Sequence, residues 1–185
     1  MNLISLAKLP LSADEGWPEL ARHRPRIARL FLFVVLPLSL VPPAMLYVAG
    51  THYPEAFFPA MRPRNWAGVA EVCFVAEIAS FAALGWLIKQ VADTYALSID
   101  YRDAYLLAAL AVAPLWLASL GLLIPDLMVN AAIGVLSLGL SCALLFNGLR
   151  ALGRRREEVV AASIVHVVIG AGLTAWVFVF VLTLL

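Results

Sequence analysis

Five long apolar runs separated by short polar breaks organise the chain. They cover approximately residues 30–50, 66–92, 104–124, 127–149 and 159–184. A hydrocarbon crossing takes about 20 predominantly apolar residues as a helix. Helix is the form expected, because a backbone in lipid must satisfy its own N–H and C=O groups. The breaks are a proline-bearing loop over 51–65, a polar loop over 93–103, a Pro125-Asp126 turn and a basic hinge over 150–158. Connections this short favour antiparallel neighbours. The pattern predicts an all-α fold: a polytopic membrane helix bundle with five transmembrane helices. Pro37, Pro42 and Pro43 predict a kink in the first span, and Pro114 falls near the middle of the third. Phe57, Phe58 and Trp66 suit a membrane–water interface.

Residues 1–29 are the only sizeable polar region and are set apart from the 30–185 membrane domain. Pro10, Pro18 and Pro25 exclude one long helix there. Ser12-Ala-Asp-Glu15 has the form of a capping box for a short helix carrying Trp17 and Leu20. With Leu3, Ile4, Leu6, Leu9 and Leu11, these residues predict a short interfacial N-terminal segment, cytoplasmic and lying on the lipid surface.

Composition narrows the class further. Hydrophobic residues make up 63% of 185, charged ones 14%, and mean hydropathy is +0.93. A soluble domain is about 45–50% apolar and about 25% charged. Five crossings would use ~100 residues, most of the apolar total. A soluble globule and a disordered chain are both excluded. Cys73 and Cys142 lie inside apolar runs and read as small buried hydrophobes rather than a disulfide. No cleavable signal peptide is visible: residues 1–11 form too short and interrupted an apolar stretch.

Net charge is +1, so no global field attracts nucleic acid. The distribution of charge says more. With the N-terminus inside, the cytoplasmic side carries Lys8, Arg22, Arg24, Arg26, Arg29, Lys89, Arg102, Arg150, Arg154, Arg155 and Arg156, and the outside only Arg62 and Arg64. Eleven against two predicts a cytoplasmic N-terminus and an external C-terminus. Arg22, Arg24, Arg26 and Arg29, and the Arg154, Arg155, Arg156 run, are also the residues expected to face anionic lipid headgroups or a partner.

Catalytic signatures are missing: the chain has no H-E-x-x-H, G-x-S-x-G or Walker loop. His23, His52 and His166 fall in three different compartments and cannot share a metal, so no metal and no cofactor is expected. Gly170-Ala-Gly172-Leu-Thr-Ala175 imitates a dinucleotide fingerprint, but it lies within an apolar helix rather than after a strand. The unusual groups are the intramembrane polar ones, Glu77, His166, Glu71, Ser80, Ser163 and Asn147. An ionisable group in hydrocarbon costs about 2.5–3.5 kcal/mol on insertion scales and rarely faces lipid. Ala70, Cys73, Glu77, Ser80 and Leu84 share one helix face, and Ser163, His166, Gly170 and Leu173 share another. Both faces are expected to turn inward, with Glu77 and His166 ~7 Å apart in depth at ~1.5 Å rise per residue. That places them within reach as a clamp between helices, or as a proton- or ligand-binding interior. Glu71, nearer the outer surface, meets water or pairs with Arg62 or Arg64. Asn130 and Asn147 read as capping or interfacial groups. Small-xxx-small pairs such as Ala104/Ala108 and Ser137/Ser141 point to close helix packing, within the chain or between copies.

The order of these elements resembles the YIP-domain family, the Ypt/Rab-interacting integral membrane proteins, and most closely its bacterial inner-membrane relatives. The resemblance begins at Leu9-Pro10 and Trp17 and is clearest from Asp103 onward. It continues through Ala104-Tyr-Leu-Leu, Ala113-Pro114, Leu117, Ile124-Pro125, Leu144-Leu-Phe-Asn-Gly148-Leu and Ser163-Ile-Val. Arg150 departs from the proline that many relatives carry after the glycine. The resemblance implies five spans, a cytoplasmic N-terminus and no enzyme activity. The Rab binding of eukaryotic members is not carried over, since no motif transfers residue by residue. The function expected is a non-catalytic scaffold or interaction partner in the bacterial inner membrane, affecting membrane organisation or trafficking. Its partners would be the bilayer, anionic headgroups, and copies of itself or another membrane protein. The alternative is a small transporter or channel using Glu77 and His166.

Overall fold

A computed structural model describes residues 9–11, 16, 17, 20, 26–58, 65–153 and 158–184, with side chains through 177. Five helices in it are long and apolar enough to cross a membrane: Ile27–His52, Trp66–Thr94, Tyr101–Leu123, Leu127–Leu152, and a fifth helix from Glu158 to Leu184. They are spans one to five below. No strand occurs among the described residues. Polar residues cap the starts of three of these helices. Asp100 accepts from the Asp103 N–H at 2.8 Å, Asp126 from Val129 at 2.9 Å, and Asn65 from Gly68 at 3.3 Å. Thus span three, capped by Asp100, begins at Tyr101 rather than 104, and Asp103 falls in its first turn.

Span one departs from a regular α-helix where its prolines fall. Pro37 has no N–H for the Phe33 carbonyl, and the turn Phe31–Val35 is wound as a π-helix just before it. An α-helical turn, Leu36–Ser39, follows, and the helix resumes over Val41–His52 with Pro42 in its first turn. The Ser39 hydroxyl donates to the Leu36 carbonyl at 3.0 Å. Pro114 is held inside span three, which tightens into a 3₁₀ segment over Ser119–Leu123.

Span two ends in a left-handed turn. Ala96 adopts φ 54°, Leu97 N–H reaches Ala92 O at 2.8 Å, and Ala96 N–H reaches Asp93 O at 3.0 Å. That is the Schellman bond pair, which normally favours glycine at the left-handed position. It drives Leu97 into the core, where its side chain packs over Gly153.

Span three packs most extensively, against span four first and span one next. The core lies towards the end of the bundle where span two ends and span three begins. Buried positions in span four run from Ser141 to Leu152, and its first half is largely exposed. In span five Ala161, Ile164 and Val168 are the inward residues. Leu9, Trp17 and Leu20 belong to the same core, at 2%, 0% and 8% exposure. The N-terminal segment therefore seats Leu9, Trp17 and Leu20 on protein, where the sequence pattern predicted lipid, and leaves Leu11 exposed. Its Ser12–Glu15 capping box lies outside the described residues. Leu20 N–H does bond Gly16 O at 3.1 Å, one helical turn around Trp17.

Candidate functional site

Two polar constructions stand out against the apolar bundle. The first is at mid-membrane. Glu77 is buried on span two, and its Oε2 accepts a 2.5 Å hydrogen bond from the indole N–H of Trp116 on span three. The two residues share a level. Glu77 lies 17 residues before Thr94 and Trp116 lies 15 after Tyr101, which is roughly 25 Å from that end of each helix at ~1.5 Å per residue. A carboxyl group in hydrocarbon needs a donor, and a buried indole needs an acceptor. Each supplies the other, and the bond ties span two to span three.

Beside this pair a groove of about 670 Å³ opens between the spans. Its floor holds Glu77, Phe81, Trp116 and Val168, all buried; Trp86, Leu115 and Leu173 stand exposed at its rim. Ser80, one turn beyond Glu77, lines it as well.

The expected contact between Glu77 and His166 is not made. Ser163, His166, Gly170 and Leu173 do share a face, but that face turns outward, while Ala161, Ile164 and Val168 point in. His166 is exposed, and its Nδ1 lies 2.8 Å from the Ala162 carbonyl of its own helix, an acceptor that calls for the hydrogen on Nδ1. Ser163 likewise bonds Val159 O at 2.9 Å. His166 is eight residues after Glu158, about 12 Å along its helix against roughly 25 Å for Glu77. The physical reason is that span five is apolar on all sides, so its rotation is set by packing of small and branched residues rather than by its polar groups. Glu71 is exposed near the N-terminal end of span two, and Arg62 and Arg64 lie outside the described residues.

The second construction sits at the core end. Asn147 of span four donates from its Nδ2 to the Pro10 carbonyl at 2.7 Å, and Trp17 Nε1 donates to Leu9 O at 2.8 Å. Trp17 lies over Gly148: a β-carbon there would come within 2.5 Å of the indole and 2.2 Å of Leu107. Glycine at 148 is what lets the indole reach the helix. Asn147 thus anchors the N-terminal segment rather than capping span four. The sequence signal for this latch was the Asn147-Gly148 pair in an otherwise apolar helix end, combined with a tryptophan in a proline-broken segment. Asn130, by contrast, donates to Ile124 and Asp126 carbonyls at 2.8 Å each and holds the turn between spans three and four.

Of the basic residues, Arg26 and Arg29 are exposed at the entry to span one. Arg22, Arg24, Arg154, Arg155 and Arg156 lie outside the described residues. Arg150 pairs with Glu158 at 2.8 Å and stacks its guanidinium 5.5 Å from the Phe146 ring centre, bridging spans four and five. Lys89 pairs with Asp93 one turn on and lies 5.7 Å from the Tyr101 ring centre. Among the described residues no group of three or more His, Cys, Asp or Glu side chains is placed to hold a metal ion.

A model of the Yip1 domain matches residues 8–180. The chain belongs to the Yip1 domain family. The match spans all five helices and takes in Leu9, Pro10 and Trp17, the residues that close the latch. No curated protein and no solved structure matches the chain. The Yip1 domain here is therefore a multi-pass helical membrane protein whose polar side chains tie its helices and N-terminal segment together.

Proposed function

We propose that this Yip1-domain protein is a non-catalytic scaffold of a bacterial inner membrane. It would associate with copies of itself or with another integral membrane protein and so affect membrane organisation or trafficking. What supports the reading is how the polar side chains are used. Glu77 binds Trp116, Asn147 binds Pro10 and Asn130 holds a turn, so each of these polar groups ties parts of the fold together. The separation of Glu77 from His166 removes the geometry on which a proton path between them would rest. The exposed first half of span four, with open space over Gly134 and Gly139, offers the close approach that membrane helices use to associate.

The reading is tested by energy transfer between copies labelled at the C-terminus and reconstituted in liposomes. Transfer that persists as the protein is diluted with lipid is expected. Transfer that falls along the random-encounter curve, together with no membrane partner trapped by photocrosslinking in cells, would overturn it.

The charge bias of eleven basic residues against two supports a cytoplasmic N-terminus. Topology reporters fused after Ala60 and at Leu185 are both expected to read outside. A cytoplasmic signal at Leu185 would contradict the orientation.

A further inference from the structure

We propose that the groove between spans two, three and five binds an uncharged, hydroxyl-bearing lipid, one apolar chain or ring system carrying a single alcohol, with the alcohol at Glu77. The groove's volume, about 670 Å³, lies within the ~300–1,000 Å³ range of small-molecule sites. Its wall is apolar almost throughout, which matches a hydrocarbon body. Its rim residues Trp86, Leu115 and Leu173 are exposed, so it opens sideways where membrane lipids circulate.

The one carboxyl in the wall sets the chemistry of the occupant. Among the described residues Glu77 makes a single hydrogen bond, at Oε2 to Trp116, which leaves Oε1 for a ligand. At this depth a phosphate or ammonium headgroup would have to be dragged into hydrocarbon, at high cost. A hydroxyl is neutral and both donates and accepts. It can therefore pair with Oε1 whether the carboxyl is ionised or protonated. A plain alkane of the same shape has neither donor nor acceptor and leaves Oε1 unpaired in either state, which is where selectivity arises.

The test uses two probes, a long-chain primary alcohol with a terminal diazirine and the matching diazirine-bearing alkane without the hydroxyl, photolysed with the full-length protein in phosphatidylcholine vesicles. Labelled residues are mapped by mass spectrometry. The alcohol is expected to label groove residues of spans two and five about three- to eighteenfold more than the alkane, the range one hydrogen bond between groups in membrane supports. Glu77→Leu should bring that ratio to unity. Gly172→Phe should suppress labelling by both probes: Gly172 lines the groove and an added β-carbon there meets nothing within 4 Å, so the ring fills the groove without disturbing the packing. Equal labelling by the two probes in the unmodified protein would overturn the proposal, as would a preference that survives Glu77→Leu or labelling indifferent to Gly172→Phe. Quantitative disulfide formation between copies bearing Gly172→Cys, with exclusion of the alcohol, would assign the groove to a second copy and overturn it as well.

Discussion

Trp17→Ala is expected to destabilise the protein by about 3–5 kcal/mol, the range for removing a large buried aromatic side chain. Trp17 is fully buried, fills the space over Gly148 and against Leu107, and donates to Leu9 O. Its site lies at the end of the bundle, beside the Asn147–Pro10 bond, where an undocked segment would meet water rather than hydrocarbon. The ordinary water-to-protein transfer term therefore applies, which is not so for residues facing lipid. Alanine also leaves the Leu9 carbonyl without its donor, so Trp17→Phe, which restores most of the volume but not the N–H, should recover part of the loss. Denaturant unfolding in detergent, with susceptibility of the first 25 residues to proteolysis, checks both variants. A segment seated on lipid would respond differently: Trp17, as the sole tryptophan, would be quenched by brominated phospholipid, whereas a protein-seated indole is expected to be shielded. Stability unchanged in Trp17→Ala, or strong quenching, would contradict the latch.

The second large effect is expected at Gly85, where two principles predict opposite signs. Alanine is better than glycine within a helix by about 1 kcal/mol, so propensity alone makes Gly85→Ala stabilising. The structure makes it destabilising. A β-carbon at 85 would lie 2.4 Å from Tyr105 Cδ1 and 2.5 Å from Cε1. The ring has no free retreat: Tyr105 donates its hydroxyl to Ala82 O at 3.2 Å and packs against Phe81 with ring centres 5.7 Å apart. Overpacking of this kind costs about 1–3 kcal/mol. Spans two and three should separate, and Gly85→Ala should lower the midpoint of thermal unfolding in detergent. A raised midpoint would show that these helices are not in close contact at Gly85.

The spans, their order and the break in the regular helix of span one were legible because they rest on local chemistry. Lipid demands long apolar helices, and Pro37, Pro42 and Pro43 cannot continue a regular ladder. Asp126 after Pro125 marks a cap in the sequence itself. Glu77 was legible as an unusual group, but its partner was not. The pairing with Trp116 depends on how spans two and three rotate against each other, and no residue pattern records that. Rotation was least readable for span five. In water a polar stripe marks the outer face; in a bilayer both faces are apolar, so the stripe of Ser163 and His166 fitted inward and outward orientations equally. Each of those side chains bonds a carbonyl one turn back, which removes the penalty of facing outward. The seating of Leu9, Trp17 and Leu20 was not legible for a related reason. A tryptophan and leucines among prolines suit a lipid surface and a protein groove alike, and the choice was made 137 residues away, by Asn147 and Gly148.

The claim that the polar groups of the spans serve to hold helices together is tested most directly by a double-mutant cycle on Glu77 and Trp116. Glu77→Leu, Trp116→Phe and the double variant would be unfolded in detergent and compared with the parent. Each single change strands one buried polar group, and the double change removes both, so it should cost less than the sum of the two. Hydrogen bonds between membrane helices average about 0.6 kcal/mol of coupling and reach about 1.7. A value in that range, with Glu77→Gln milder than Glu77→Leu because an amide oxygen still accepts from the indole, is the predicted result. Strictly additive losses, or a Glu77→Leu variant as stable as the parent, would mean that the carboxyl is not a tie between spans two and three, and would contradict the account.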